Sequence, residues 1–332
     1  MSQSPRKPRL GFLGTGWIGR HRLDAVARSR VAEVTAVADP STEATAEAAR
    51  LARGAVVGTS LEDLLEQDLD GIVIATPSAL HADHAIAAMQ HGLAVFCQKP
   101  LARTSAEAKL VVDVARDTDH LLGLDLSYRH LAGAADVRHL VQSGALGNVF
   151  ACDVTFHNAY GPDKAWARNR ALAGGGCLID LGVHLVDLAL WMLDFPEVTH
   201  VTSRLFAGGR PFRPVSGGVE DYVSARLDLD TGTTVSLSCS WNLAAGQEAV
   251  IRVAFYGTRG GAAIENVNGS FYDFRTERYR GTSRDILTSP PDPWGGRAIV
   301  EWASRLGVNP GFDPAAHEFV TVADVLDRVY AS

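Results

Sequence analysis

Apolar and polar positions along the first 125 residues follow two alternating patterns. Short apolar runs, among them Leu10–Leu13 and Val31–Ala38, are predicted to be strands, and the continuous run Gly71–Thr76 is typical of a strand buried on both faces of a parallel sheet. Between such runs lie segments such as Ala44–Arg53 and Ser105–Arg116, whose apolar residues recur at helical spacing. This alternation predicts a doubly wound α/β domain with an open parallel sheet over residues 1–125.

The pattern changes after Arg129. A helix is predicted over residues 134–143, and strand-like segments then dominate; in Val235–Trp241 apolar and polar residues alternate one by one. Such alternation is typical of antiparallel strands with one covered face. We therefore predict a second domain over residues 126–332, an open, mostly antiparallel sheet with helices on one face. Its broad sheet suits the pairing of subunits into a homodimer or homotetramer.

Composition defines the broad class of protein. A chain of 332 residues with 46% apolar residues fits two domains, and a net charge of −7 argues against nucleic acid as the main partner. No apolar run approaches the roughly 20 residues that cross a bilayer, and no apolar core follows the basic N-terminus, so no membrane association or secretion is expected. We expect a cytoplasmic protein with reduced thiols, because none of its four cysteines has C-x-x-C spacing: Cys97, Cys152, Cys177 and Cys239.

A glycine-rich turn lies between the first predicted strand and the first predicted helix. The residues Gly14, Gly16 and Gly19 form the pattern G-x-G-x-x-G, which allows a tight turn, close approach to a pyrophosphate and close helix packing. The second strand ends in Asp39, 39 − 19 = 20 residues after the last glycine, the distance expected of an acid that accepts ribose hydroxyls. Since Asp39 would repel a 2′-phosphate, the cofactor is predicted to be NAD rather than NADP. The loop contacts with NAD are assigned to Gly14, Gly16, Trp17, Ile18 and Gly19.

Further cofactor contacts are expected at the ends of later strands. Ligands of open parallel sheets lie at the carboxyl ends of the strands, which places the residues after two later strands at the same crevice as the glycine turn. His81, one turn into the helix that follows, is predicted to touch the cofactor, with a surface position as the alternative. The predicted set is Thr76, Pro77, His81, Gln98 and Lys99.

The segment Asp180–Asp187 carries the candidate chemistry of the second half. On a helix, Asp180, His184 and Asp187 share one face, and an acid beside a histidine suits proton transfer near neutral pH. The glycine triplet 174–176 just before it would allow close approach of the backbone to a ligand. A buried pairing of these side chains for structural reasons stays open. No metal site is predicted, since no third ligand has suitable spacing.

Together these motifs resemble the Gfo/Idh/MocA family of sugar and polyol oxidoreductases over nearly the whole chain. The resemblance implies a Rossmann domain, an open antiparallel substrate domain, and hydride exchange between nicotinamide and a secondary alcohol. It also implies that Lys99, Asp180 and His184 are the catalytic residues. The motifs occur in family order: Gly14–Gly19, Ile74-Ala-Thr-Pro77, Gln98-Lys99-Pro100, the glycine triplet and Asp180-x-Gly182-x-His184-x-x-Asp187.

Two departures from the family pattern concern the site. Gln98 stands where family members usually carry glutamate before Lys-Pro; it keeps an acceptor but loses a charge. Trp166 matches a Trp-Arg pair of many members, but Ala167 takes the arginine position and Arg168 comes one residue later. The substrate contacts are assigned to Arg129, Trp166 and Arg168.

The predicted function is an NAD-dependent dehydrogenase acting on a CH–OH group of a sugar, polyol or inositol. In this hypothesis His184 takes the hydroxyl proton, Asp180 orients the imidazole or a neighbouring hydroxyl, and Lys99 stabilises developing alkoxide. Two alternatives stay open. One is an NAD-dependent enzyme that cleaves glycosides through transient oxidation and elimination, and the other is a non-enzymatic binder that senses sugar or NAD.

Overall fold

The computed structural model describes residues 6–214 and 217–332. Contacts within the chain divide it into two compact units. The first extends to Asp125 and includes Gly296–Val320; the second comprises Leu126–Gly295 and Thr321–Ser332.

The first unit is built on a six-stranded parallel sheet with the strand order β3-β2-β1-β4-β5-β6. The order reverses between β1 and β4, so the crevice of a doubly wound fold lies at the carboxyl ends of these two strands. The predicted parallel α/β architecture is confirmed. The strands are β1 Arg9–Leu13, β2 Glu33–Ala38, β3 Val56–Gly58, β4 Gly71–Ile74, β5 Ala94–Cys97 and β6 Leu122–Leu124, and the helices are α1 Trp17–Ser29, α2 Thr42–Leu51, α3 Leu61–Leu65, α4 His81–Gln90 and α5 Ser105–Asp117.

The second unit contains a nine-stranded sheet with the order β15-β14-β13-β12-β7-β11-β10-β8-β9. All neighbouring strands are antiparallel except β7 and β11, which confirms the mostly antiparallel prediction. The strands are β7 Val149–Asn158, β8 Val198–Ala207, β9 Arg210–Pro211, β10 Tyr222–Leu229, β11 Thr234–Ser240, β12 Ala249–Gly257, β13 Gly260–Asn266, β14 Phe274–Arg280 and β15 Ser283–Thr288. The remaining helices of the chain are α6 Ala134–Gln142, α7 Arg170–Ala173, α8 Val183–Met192, α9 Arg297–Leu306 and α10 His317–Ala331, with a π-helical turn at Leu178–Gly182 before α8.

The predicted division into residues 1–125 and 126–332 is wrong for one segment. The segment Gly296–Val320 belongs to the first unit, and it carries α9. Ile299, Trp302 and Leu306 lie one turn apart on α9 and are buried in the core of the parallel sheet. The indole of Trp302 packs beside Phe96 of β5, with ring centroids 5.5 Å apart. The apolar face of α9, a helix near the end of the sequence, therefore completes the core of the first unit.

The core of the second unit lies between its sheet and the helices on one face. Alternate residues of β11, such as Val235 and Leu237, point into this core together with nearly every residue of α8. The stretch Arg170–Met192 is long and apolar enough to cross a membrane by length and composition, with a mean hydropathy of 1.5, although no such run was expected. Since 78% of its most apolar window is buried inside the protein, the apolar composition of this stretch is accounted for by core packing.

Candidate active site

The glycine turn has the shape that a dinucleotide requires. Gly14 has a φ of +86°, and a Cβ there would lie 2.5 Å from the carbonyl oxygen of Ala75 after β4. A Cβ on Gly19 would lie 2.1 Å from the carbonyl oxygen of Gly14, whereas one on Gly16 would enter open space. Among the described residues no side chain caps the N-terminus of α1, so its first amides face that space. The turn therefore fits a pyrophosphate at the helix N-terminus.

Asp39 is held beside this turn by two backbone amides. Its Oδ2 accepts a hydrogen bond from Thr15 N at 2.8 Å, and its Oδ1 accepts one from Ser41 N at 2.9 Å. Each carboxylate oxygen can accept a further hydrogen bond, so the fixed carboxylate can still bind ribose hydroxyls. Trp17 is 61% exposed at the start of α1, next to Ile18, which is partly buried.

The geometry of His81 argues against its predicted contact with the cofactor. His81 is fully buried, and its Nδ1 and Nε2 lie 2.7 Å and 2.8 Å from the carbonyl oxygens of Pro100 and Thr76. Burial lowers the pKa of His81, which favours a neutral ring that donates to one of these carbonyls. The ring thus joins the two loops that follow β4 and β5. His81 positions Thr76 and Pro77 relative to the Lys99-Pro100 turn.

Gln98 belongs to a buried polar cluster at the end of β5. Its amide nitrogen donates to Asp125 Oδ2 at short range, and the same oxygen accepts a hydrogen bond from Arg22 Nε on α1 at 2.5 Å. The side chains of Arg22 and Asp125 are 8% and 0% exposed. Lys99, the next residue, is partly exposed. The cluster therefore ties the glycine-turn helix to the strand end that carries the Lys99 ammonium group.

Asp180 lies in the π-helical turn Leu178–Gly182, not on the regular α-helix that its spacing to His184 predicts. Its Oδ2 accepts a hydrogen bond from the indole Nε1 of Trp241, at the end of β11, at 3.0 Å. π-Helical turns are rare and occur frequently at functional sites. The wider turn changes the phase of the helix between Asp180 and His184, so their spacing alone does not place them on one face.

His184, in the first turn of α8, is 9% exposed and packs against Tyr128, with ring centroids 4.8 Å apart. One turn further along α8, Asp187 is buried and paired with Arg129, whose Nη2 lies 2.5 Å from Oδ1. Burial raises the pKa of Asp187 and the Arg129 guanidinium opposes this shift. Arg129, predicted to bind substrate, is thus engaged in anchoring α8.

Gly175 and Gly176 of the glycine triplet serve packing rather than the predicted approach of a ligand. A Cβ on Gly175 would lie 1.9 Å from the Tyr330 hydroxyl oxygen, and one on Gly176 would lie 1.9 Å from the carbonyl oxygen of Glu220. Glu220 is fully buried, and its Oε1 accepts hydrogen bonds from the amides of Gly176 and Leu178 at 3.0 Å and from Tyr330 Oη at 2.8 Å. Burial raises the pKa of Glu220, and these hydrogen bonds oppose the shift. The carboxyl group of Glu220 therefore holds the entry to the π-helical turn.

The two remaining predicted substrate residues lie on a surface segment of the second unit. Trp166 is partly exposed and Arg168 is exposed, both in a short 3₁₀ turn at Ala165–Arg168. A Cβ on Gly161 would lie 2.5 Å from the Arg168 guanidinium and 3.1 Å from the Asn242 amide, so this segment passes close to the residue after Trp241. Their role as substrate contacts stays a prediction.

The sequence patterns did not identify four residues that shape the candidate site. Asp125, Tyr128, Glu220 and Trp241 each contact a predicted functional residue or its loop through a side chain. Only Glu220 carried a usable signal: an acid two residues before the apolar–polar alternation of β10, at a position that proves fully buried.

Comparison with known proteins places the two units in one family. The description "Oxidoreductase family, NAD-binding Rossmann fold" matches residues 9–126, and "GFO/IDH/MocA C-terminal domain" matches residues 134–263. The chain is 30% identical to the rhizopine catabolism protein MocA of Rhizobium meliloti, over 90% of this chain and 94% of that protein. It is 28% identical to a D-glucoside 3-dehydrogenase of Escherichia coli, over 80% of this chain and 78% of the relative.

A solved structure shows the same fold. Levoglucosan dehydrogenase in complex with NADH and levoglucosan superimposes with a TM-score of 0.82 at 23% identity, covering 98% of this chain and 96% of that one. The first matched region contains the glycine turn and Asp39, and the second contains most of the mostly antiparallel sheet. This chain therefore belongs to the Gfo/Idh/MocA family of oxidoreductases, with an NAD-binding Rossmann domain as its first unit.

Proposed function

We propose that this protein is an NAD-dependent dehydrogenase that oxidises a secondary alcohol of a sugar, polyol or inositol, or reduces the corresponding ketone. The proposal depends above all on the second unit, where Asp180 is held by Trp241 and His184 is held by Tyr128 within two consecutive turns of the chain. An acid and an imidazole fixed in this way suit proton exchange with an alcohol near neutral pH. The D-glucoside and levoglucosan dehydrogenases among the similar proteins support a carbohydrate substrate.

The first unit supplies the residues that would hold the cofactor. Gly16 and the first amides of α1 would bind the pyrophosphate, and Asp39 would accept the ribose hydroxyls. When bound, NAD accepts the hydride that leaves the carbinol carbon. His81 and the cluster around Asp125 would position the loops that border the nicotinamide half of the cofactor.

The remaining steps are assigned to three side chains. His184 would take the proton of the substrate hydroxyl as general base. Asp180 would hydrogen-bond the imidazole or a neighbouring substrate hydroxyl, with its Oδ2 already bound by the Trp241 indole. The Lys99 ammonium group would stabilise negative charge as it develops on the substrate oxygen, an electrostatic role that needs no proton transfer.

The test is a spectrophotometric screen that follows reduced nicotinamide with glucosides, anhydrosugars and inositols, each with NAD and with NADP. Replacing His184→Ala should lower kcat by about 10²–10⁴-fold, the usual contribution of a general base, while the Kd for NAD stays within about twofold. His200→Ala, an exposed histidine of the second unit, is the matched control. Wild-type turnover in His184→Ala would refute the assignment. Release of an aglycone without net reduction of NAD would instead indicate glycoside cleavage.

Two further proposals concern the assembly and the location of the protein. We propose that the broad sheet of the second unit pairs subunits into a homodimer or homotetramer. The four cysteines are free and buried, which supports a cytoplasmic location. Light scattering of the purified protein would test the first proposal and cell fractionation the second.

A further inference from the structure

The second unit carries a cavity of about 490 Å³ at one end of its sheet. It is bordered by Phe206 near the end of β8, by Tyr222 at the start of β10 and by Trp241 just after β11. Strand pairing brings these ends together, since Tyr222 is the partner of both Phe206 and Ser240. The volume lies within the range of about 300–1,000 Å³ that small-molecule sites occupy.

The aromatic wall of the cavity is held in place from behind. The Tyr222 ring lies nearly perpendicular to Phe206, with centroids 5.9 Å apart, and stacks on the His157 imidazole at 5.8 Å and 13°. His157 is itself within hydrogen-bond distance of Ser240 Oγ and Ser238 Oγ, at 2.8 Å and 3.1 Å. Tyr222 is therefore a fixed apolar surface, of the kind that a flat ligand ring can stack on.

Polar groups accompany this wall. Asp221 binds the Gly208 amide through Oδ2 at 2.8 Å, which leaves Oδ1 as an acceptor at the cavity. Within residues 6–214 and 217–332, no hydrogen bond joins the Tyr222 hydroxyl or the side-chain amide of Asn242 to another group. A carboxylate, an amide and a phenol around an aromatic wall match a pyranose ring, which has an apolar face and a rim of hydroxyl groups.

Trp241 connects the cavity to the proposed reaction centre. Its indole lines the cavity, while its Nε1 donates to Asp180 Oδ2 at 3.0 Å. Neither Asp180 nor His184 borders the cavity, so a ring bound there is not the ring that reacts. We propose that this cavity is a subsite for a second pyranose ring, in a disaccharide or related glycoside whose neighbouring ring is oxidised. The proposal rests on the function proposed above and narrows its substrate class to glycosides.

The experiment compares kcat/KM for cellobiose with kcat/KM for glucose in the wild type, Tyr222→Ala, Asp221→Asn and a control. Tyr222→Ala removes the stacking surface, and Asp221→Asn keeps an oxygen for the Gly208 amide but removes the charge. The control, Ser224→Ala, alters an exposed residue on the same strand and the same face as Tyr222, outside the cavity. Saturation-transfer NMR with cellobiose measures binding separately from turnover.

We expect the wild type to prefer cellobiose and Tyr222→Ala to lower the cellobiose-to-glucose ratio by about tenfold, with a smaller fall in Asp221→Asn and none in Ser224→Ala. Equal ratios in wild type and Tyr222→Ala would overturn the proposal, as would a wild type that prefers glucose. If neither these two sugars nor any compound of the nicotinamide screen described above is oxidised, the proposed function fails. The subsite then stands only if cellobiose binds the wild type and Ser224→Ala but not Tyr222→Ala, and it is overturned if cellobiose does not bind.

Discussion

The substitution Gln98→Glu would place the residue usual in the family next to Asp125. Gln98 is 6% exposed and donates from its amide nitrogen to Asp125 Oδ2, which also binds Arg22. The introduced carboxyl group would have no proton to donate when ionised, and two carboxylates would then face each other in a buried cluster. We therefore expect that glutamine stands at this position because Asp125 requires a donor.

The size of the effect follows from Coulomb's law. Two unit charges about 4 Å apart interact with about 4 kcal/mol at an effective dielectric constant of about 20. Arg22, on the same Asp125 oxygen, offsets part of this repulsion, which leaves a loss of ~1–3 kcal/mol in the free energy of unfolding. Repulsion and burial both raise the pKa of the introduced carboxyl group in the folded state. Its cost is therefore small below its unfolded pKa of about 4.3 and grows as pH rises through the folded pKa.

The assay is urea unfolding at several values between pH 5 and pH 8.5, with Gln98→Met as the matched control. Methionine has similar length and no charge, so its loss of the hydrogen bond to Asp125 should cost the same at every pH. The gap in free energy of unfolding between Gln98→Met and Gln98→Glu should widen by up to ~2 kcal/mol across this range, since part of the cost is already present at pH 5, above the unfolded pKa. A gap that stays constant with pH would show that the two carboxyl groups do not repel each other and would refute the explanation for glutamine at this position.

Three further predictions follow from the contacts described above. Asp39→Ala should raise KM for NAD by about 10–100-fold with little change for NADP, measured in steady-state kinetics with both cofactors, because it removes charge-assisted acceptors for the ribose. Glu220→Ala should lower the free energy of unfolding by ~2–4 kcal/mol. Since burial raises the pKa of Glu220, the stability that this carboxyl group contributes is lost as pH rises. In Glu220→Gln the free energy of unfolding in urea should therefore depend less on pH between pH 5 and pH 8.5. Arg129→Met should cost about 3–5 kcal/mol by leaving Asp187 buried and unpaired, and Asp187→Leu in the same chain should recover most of that loss in thermal unfolding.

Local patterns in the first unit predicted most of its structure. The run Val31–Ala38 contains β2 at Glu33–Ala38. The continuous run Gly71–Thr76 contains β4 at Gly71–Ile74, because a strand covered on both faces is apolar throughout. The glycine turn was equally predictable, since the local backbone geometry leaves no room for a side chain at Gly14 and Gly19. Helix α9 was missed, because its apolar face is recognisable as part of this core only when strands more than two hundred residues earlier are in place.

The contacts that shape the candidate site were not predictable from local patterns. Arg22 and Asp125 are 103 residues apart in sequence, Asp180 and Trp241 are 61 apart, and Glu220 and Tyr330 are 110 apart. Each contact joins a residue at the end of an element to a side chain from a distant element. The prediction that Asp180 and His184 share a helix face also assumed 3.6 residues per turn. The residue types of Leu178–Gly182 do not indicate a π-helical turn.

The corrections for His81, Arg129 and the glycine triplet share one physical cause. His81, Arg129 and the glycine triplet each stand beside a predicted ligand-contacting segment, and each proves to hold that segment through the chain's own atoms. A sequence pattern shows that a position is constrained, but contact with a ligand and contact with the loop that binds the ligand constrain residue type in the same way. The distinction comes from whether the polar atoms already have partners. Both nitrogens of His81 and the guanidinium of Arg129 face acceptors of the chain. The hydroxyl of Tyr222 and the side-chain amide of Asn242 make no such bond within the described residues, which is why the cavity beside Trp241 is the stronger candidate for recognising substrate.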